Sequence, residues 1–143
     1  MMLLENELLQ YVHKTSAMGC QGIECVMPYA SKTSIEKVLQ EQWLEYRKLE
    51  KTANKILCDR GETPNRLPSL AKISAQMMSS MKLMGNNSVS KIAEMTIQGN
   101  TMGVTKTLKH LHDYQGDDRT VRNLIRKLLA TEECNVEQLK PYL

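Results

Sequence analysis

The sequence predicts an all-α protein, built from two helical hairpins that a long connection joins. Three observations lead to this fold class. Apolar residues recur every three or four positions through most of the 143-residue chain, which is the period of an amphipathic helix. Alternation of apolar and polar residues, the mark of a half-buried strand, is essentially absent. Turn-forming residues interrupt the helical period at three places, and the middle interruption is long.

The first hairpin is expected over about residues 3–60. The apolar stripe of its first helix consists of Leu4, Leu8, Tyr11, Thr15, Met18 and Gly22. Pro28 is expected to end this helix, because proline lacks the N–H that the next turn requires. Thr33 or Ser34 then offers an N-cap for the second helix, which is expected to end near Arg60-Gly61.

The long connection carries a shorter amphipathic segment, for which we expect a crossover helix at about residues 68–85. The second hairpin is expected over about residues 88–140, with a turn at Tyr114–Asp118 and an end before Pro141. Its first helix has apolar residues on two sides. We therefore expect this helix to contact both its own core and a partner chain.

A resemblance to a known superfamily follows from this layout. The two hairpins share a faint internal repeat, in which Thr15–Gly19 aligns with Gly99–Gly103. The two-hairpin pattern resembles the ferritin-like superfamily, and the segment 91–103, KIAEMTIQGNTMG, is similar to its small uncharacterised bacterial members that lack the di-iron motif. The resemblance covers nearly the whole chain. It implies a single domain over residues 1–143, a ferritin-like four-helix bundle with an extra crossover helix, but not iron chemistry by itself.

The candidate metal ligands do not form the pattern of a di-iron centre. Such a centre takes a Glu-x-x-His motif from each of two helices, and the sequence contains none. Glu132 lies clearly on an inward stripe, so we expect a polar layer in which Tyr46 and Gln42 are its hydrogen-bond partners. Gln98 is expected in the same layer. A degenerate iron site is the alternative, and its candidate ligands are Glu132, Glu45, Glu94 and Tyr46.

Four glycines lie inside the predicted helices: Gly19, Gly22, Gly99 and Gly103. Each costs about 1 kcal/mol relative to alanine in a helix interior, which indicates that space is needed beside them. We expect two helices to cross there with their backbones nearly touching. A slot for a flat ligand such as haem or flavin is the alternative. No haem-attachment motif or phosphate-binding loop accompanies the glycines, so no cofactor is predicted.

The chain has ten methionines and no phenylalanine, which predicts a methionine-rich core of closely packed helices. The candidate residues for an interface between copies are Met77, Met81, Met84 and Leu108. Thioethers at this spacing are also suited to Cu(I), although packing is the favoured interpretation. We therefore expect a homo-oligomer, and a dimer in particular.

Composition also bears on partners and location. The net charge of +3, from 19 basic and 16 acidic residues, is small for a dedicated nucleic-acid-binding protein. The basic face of Arg119, Arg122 and Arg126 is expected to be solvated, with an anion or nucleic-acid site as the alternative. No apolar run approaches the ~20 residues of a membrane span.

The remaining residues that could carry chemistry are the cysteines and the histidines. The four cysteines lack metal-ligand spacing, and we expect them to be reduced in a cytoplasmic protein without a signal peptide. His13, His110 and His112 are expected on the surface.

No motif supplies a nucleophile, which favours a non-catalytic protein. The sequence therefore predicts a self-associating structural or interaction protein. The alternative is a divergent metal-binding protein with an iron-handling or redox role.

Overall fold

A computed structural model of the chain describes residues 4–67 and 88–143. Within these two ranges the chain forms four α-helices and no strand, which confirms the all-α prediction. The helices are α1 (Glu5–Ala30), α2 (Glu36–Asp59), α3 (Ser88–Asp113) and α4 (Arg119–Leu139), and a short 3-10 helix follows at Lys140–Tyr142. The predicted crossover helix at 68–85 lies outside the described residues, and so do the interface candidates Met77, Met81 and Met84.

The end of α1 differs from the prediction, because the helix continues through Pro28 to Ala30. Pro28 and Glu24 are both exposed. Water can therefore solvate the Glu24 carbonyl, which loses its usual N–H donor at the proline. The helix stops two residues later, and Lys32 turns the chain with a φ of 62°.

The N-cap of α2 also differs from the prediction. Neither Thr33 nor Ser34 caps this helix, since Ile35 occupies the N-cap position. The Thr33 hydroxyl instead donates to the Ala30 carbonyl at 2.5 Å, at the end of α1. The Glu36 carboxylate accepts from the Lys32 backbone N–H at 3.0 Å, which ties the turn to the first residue of α2. The turn is thus held by bonds to both helices rather than by a side-chain cap.

The far end of α2 agrees with the prediction. The helix ends at Asp59, and Gly61 adopts a left-handed φ of 77°. The Gly61 N–H donates to the Cys58 carbonyl, and the Glu62 N–H donates to the Leu57 carbonyl. These bonds satisfy carbonyls that the helix end would otherwise leave without donors.

The two hairpins are joined at one end of the bundle by polar contacts. Asp118 caps α4 by accepting from the Val121 N–H at 3.2 Å. The same carboxylate accepts from Arg60 of the first hairpin at 2.7 Å. Nearby, the buried Tyr114 hydroxyl donates to Glu5 of α1 at 3.1 Å. These contacts hold the ends of α2 and α3 and the starts of α1 and α4 in fixed positions relative to one another.

The core between the helices consists mainly of leucine, isoleucine, valine and alanine side chains, together with Tyr46 and Tyr114. Met27 and Met95 pack at the edge of this core. Met18 is 37% exposed and Met102 is 60% exposed. The methionines of the described ranges thus lie around the core rather than at its centre. In those ranges no helix combines the length and the apolar character that crossing a membrane requires.

Candidate functional site: the cleft between α1 and α3

An open cleft of about 600 Å³ lies between α1 and α3. Side chains of Met18 and Ile23 line it from α1, and side chains of Met95 and Met102 line it from α3. Gln42 and Tyr46 from α2 and Glu132 from α4 form its floor. The cleft therefore has largely apolar walls and a polar floor, and all four helices contribute to it.

Two of the four predicted glycines make room for side chains of the floor. A Cβ added at Gly19 would stand 2.7 Å from the ring of Tyr46. A Cβ added at Gly103 would overlap Oε2 of Glu132. In each case the neighbour is a side chain from the other helix of the same hairpin. At these two positions the expected contact of two helix backbones is replaced by a side chain packed on a glycine.

The other two glycines, Gly22 and Gly99, line the open cleft. A Cβ added at either would meet no atom of the described chain within 4 Å. The close helix approach expected from the sequence is therefore not found at these positions. Their missing side chains widen the cleft instead.

The carboxyl group of Glu132 is a buried ionisable group of the floor. Its residue is 1% exposed. Oε1 accepts from the Thr107 hydroxyl at 2.6 Å. Because Thr107 uses its single hydrogen on Glu132, the Tyr11 hydroxyl, 2.8 Å away, is the donor to Thr107. Burial raises the pKa of Glu132 to about 7, although the Thr107 hydrogen bond acts in the opposite direction.

A second hydrogen-bonded group lies beside Glu132. The Tyr46 hydroxyl donates to Oδ1 of Asn100 at 2.6 Å, and the Asn135 side-chain amide donates to the same oxygen at 3.2 Å. Burial raises the pKa of the Tyr46 phenol, with a smaller contribution from the Glu132 charge, so the phenol stays neutral. Gln42 donates to Gln138 at 3.1 Å.

The polar layer therefore exists, but with other partners than the sequence predicts. Tyr46 and Gln42 bond to asparagine and glutamine side chains, and the described donor to Glu132 is Thr107. Gln98, expected in the layer, is exposed, and Asn100 takes that place. Residues two positions apart lie on nearly opposite sides of an α-helix, so residue 98 points outward when residue 100 points inward.

His110 lies at the rim of the cleft rather than on an open surface. Its ring stacks on Tyr11 with a centroid distance of 3.7 Å. Its Nδ1 lies 2.8 Å from the Lys106 carbonyl, and since a carbonyl only accepts, Nδ1 carries a proton. His13 is half-buried, and burial lowers its pKa, whereas His112 is exposed. Of the three histidines, only His112 has the exposure that the sequence predicts.

The four candidate metal ligands are not brought together. Glu132 and Tyr46 reach the cleft, but Glu45 pairs with Lys48 at 3.2 Å and Glu94 pairs with Lys91 at 3.5 Å, both on the surface. Across residues 4–67 and 88–143, no three His, Cys, Asp or Glu side chains form a group that could hold a metal ion. The donor set of the cleft therefore does not fit a di-iron centre.

Other candidate residues are used in packing or lie on the surface. Arg122 covers the ring of Tyr114 at 4.9 Å and donates to the Gly116 carbonyl at 2.7 Å, so it stabilises the turn before α4. Arg119 and Arg126 are exposed. Leu108, the described interface candidate, is 49% exposed on α3.

Three α3 residues at the floor, Thr96, Asn100 and Thr107, are not among the candidates that the sequence yields, although a signal for them was present. Thr96, Asn100, Gly103 and Thr107 recur at helical spacing, as one small and polar stripe of α3. All four either line the cleft or bond to a residue that does. Apolar periodicity does not detect such a stripe, because its members are not apolar.

Comparison with protein-family models, with curated proteins and with solved structures gives no match for this chain. Inferences about its function therefore rest on the geometry of the cleft and on the residues that form it.

Proposed function

We propose that this chain is a non-catalytic binding protein whose binding site is the cleft between α1 and α3. The observation that carries the proposal is a cleft of about 600 Å³ with methionine-rich walls above a buried, hydrogen-bonded carboxyl group. Its volume lies in the range typical of small-molecule sites, and such sites combine apolar walls with a few placed polar groups.

The stability cost of keeping the cleft open supports the same interpretation. Gly22 and Gly99 each cost about 1 kcal/mol relative to alanine. Neither position is crowded by the described chain, so packing within residues 4–67 and 88–143 does not explain the glycine. The open cleft also leaves Met18 and Met102 partly exposed. A ligand that covers these side chains would compensate for both costs.

The phenol and thiol groups near the floor are not activated as nucleophiles. Tyr11 and Tyr46 are engaged in hydrogen bonds, and burial raises the pKa of both phenols. Cys20 is buried beside this region, and burial raises the pKa of its thiol to about 12. Groups that hold their protons at neutral pH are poor nucleophiles.

A neutral apolar fluorescent probe, N-phenyl-1-naphthylamine, tests the proposal. We expect one probe to bind per chain, and Gly99→Leu to abolish binding because the new side chain fills the cleft. Gln98→Leu is the matched control, since it adds the same side chain at the neighbouring exposed position. Equal binding by the wild type and both variants would contradict the proposal. Leucine favours helix more than glycine does, so Gly99→Leu should remain folded.

Self-association through α3 is a second candidate, and the exposure of Leu108 favours it. A half-exposed leucine on a helix that already packs on the core on another side suits contact with a second copy. Sedimentation of the wild type should show a dimer that Leu108→Asp dissociates, while Lys109→Asp, at the next exposed position, has no effect. A monomeric wild type at high concentration would rule this candidate out.

We also propose the ferritin-like helix order for the bundle. Tyr11 bonds to Thr107, and Glu5 bonds to Tyr114 nearer the start of α1 and the end of α3. These contacts make α1 and α3 antiparallel, which supports an up-down-down-up order with one long crossover. A cytoplasmic location is proposed as well, because Cys20, Cys58 and Cys134 form no disulfide with one another.

A further inference from the structure

The two oxygens of Glu132 have different surroundings. Oε1 faces Thr107, which donates to it inside the bundle. Oε2 lies against Gly103, which lines the cleft and has no side chain to cover it. Glu132 lines the cleft and its Oε1 is taken by Thr107, so Oε2 is the oxygen left for a molecule that reaches the floor.

Several charged and titratable groups surround Glu132. In the described chain, none of them is a cation that pairs with its carboxyl group. From α1 it faces Tyr11 and, at the rim, Lys14; from α3 it faces Lys106 and His110 at the rim. Tyr46 faces it from α2, and Glu133 lies next to it on α4. Both lysines are exposed, so water screens their charges.

A buried carboxylate without a cation is unstable unless it takes up a proton or a counter-charge. The raised pKa of Glu132 agrees with the first of these solutions. A ligand with an ammonium group would supply the second, through a charge-assisted hydrogen bond from nitrogen to Oε2. An anionic ligand would instead meet a like charge at the floor.

The walls of the cleft determine the rest of such a ligand. Met18, Met95 and Met102 line it with flexible thioether side chains that adapt to apolar groups of different shape. Ile23 adds a branched apolar surface. A ligand that reaches Glu132 must therefore place the rest of its structure between the apolar walls of α1 and α3.

We propose that the cleft binds organic amines, with the ammonium group on Oε2 of Glu132 and the apolar body between the walls. This inference rests on the proposed function of the cleft and names its ligand class. Binding exchanges a proton for the ammonium ion: when Glu132 is protonated, its proton leaves to solvent as the ion pair forms. The ligand keeps its own charge throughout.

Three probes with the same apolar chain separate this inference from simple apolar binding: n-octylamine, 1-octanol and octanoate. By isothermal titration at about pH 8, octylamine should bind at least about tenfold more tightly than the other two. At about pH 5.5 its affinity should fall about 30-fold, because Glu132 must then lose a proton first. Octanol should bind equally at both pH values.

Glu132→Gln keeps the shape of the side chain and an oxygen for Thr107 to donate to. The variant should bind octylamine no better than octanol. A second readout needs no variant. Titrations of the wild type at about pH 6, in buffers of different ionisation enthalpy, should show the release of about 0.9 proton per octylamine bound.

The possible failures are distinguishable. If octanol binds as tightly as octylamine at about pH 8, the amine inference is wrong while the cleft remains a binding site. If octylamine binds tightly but releases no proton, Glu132 is not its partner and the inference is equally wrong. If none of the three probes binds, the proposed function fails and the inference fails with it.

Discussion

The carboxyl group of Glu132 occupies the space that a side chain at residue 103 would fill, because Oε2 lies where the Cβ of any residue other than glycine would stand. This relationship joins α3 to α4 at the floor of the cleft. It predicts that Gly103→Ala destabilises the protein by about 2 kcal/mol through overpacking. Urea unfolding of the variant and the wild type would measure the difference.

Gly99→Ala is the matched control, since its Cβ enters open space on the same helix. It should increase the free energy of unfolding by about 0.5–1 kcal/mol through helix propensity. Similar effects of the two substitutions would show that Glu132 does not pack on Gly103.

The protonation of Glu132 predicts a specific dependence of stability on pH. The folded pKa of about 7 lies above the ordinary value of 4.5, so between these values the folded state binds more protons than the unfolded state. The contribution of Glu132 is therefore fully present below about pH 4.5 and is lost as pH rises through 7. The loss amounts to roughly 3 kcal/mol.

Other groups titrate in the same range, so the difference between wild type and Glu132→Gln is the informative quantity. Burial lowers the pKa of His13, and this effect has the opposite sign, because it favours folding as pH rises. Thermal unfolding of both proteins from about pH 4.5 to 8 should show the wild type losing stability relative to the variant. Parallel curves would contradict the assignment.

Thr107→Val should raise the pKa of Glu132 further. The Thr107 hydroxyl stabilises the charged carboxylate, and valine has nearly the same shape but no hydroxyl. The carboxyl carbon resonance of Glu132, followed by NMR through a pH titration, would give the shift. Thr105→Val is the control, because the Thr105 hydroxyl is exposed and donates within α3, to the Thr101 carbonyl. A pKa unchanged by Thr107→Val would rule out this hydrogen bond.

Asp118 should contribute to stability in two ways, as the N-cap of α4 and as the partner of Arg60. Asp118→Ala removes both and should cost about 1.5 kcal/mol. Asp118→Asn keeps a capping oxygen and, like Arg60→Ala, should cost less than about 1 kcal/mol, because the ion pair is partly exposed. Chemical unfolding would measure all three, and equal losses for Ala and Asn at residue 118 would contradict the capping role.

The sequence predicts the four described helices well because each of them buries one face, and an apolar stripe marks that face. The end of α2 at Gly61 is predictable for a related reason, since glycine readily adopts the left-handed conformation found there. The end of α1 is harder. Pro28 is tolerated inside the helix because it lies on the exposed side, and exposure is a tertiary property.

The floor of the cleft is predictable only in part. The stripe through Leu128 and Glu132 indicates that Glu132 is buried, and it is. The sequence of α4 alone does not identify the hydrogen-bond donor to Glu132, because this donor, Thr107, lies on the other helix of the hairpin, 25 residues away. The roles of the four glycines also depend on what faces them. Large side chains pack on Gly19 and Gly103, whereas Gly22 and Gly99 border open space.

The most direct test of the binding cleft is an NMR titration of the wild type with N-phenyl-1-naphthylamine, because glycine amides resonate in a separate region of the spectrum. The amides of Gly22 and Gly99, which line the cleft, should shift as the probe is added. Those of Gly61 and Gly116, which lie in turns away from it, should not. Shifts at Gly61 and Gly116 with none at Gly22 and Gly99 would contradict a binding site between α1 and α3.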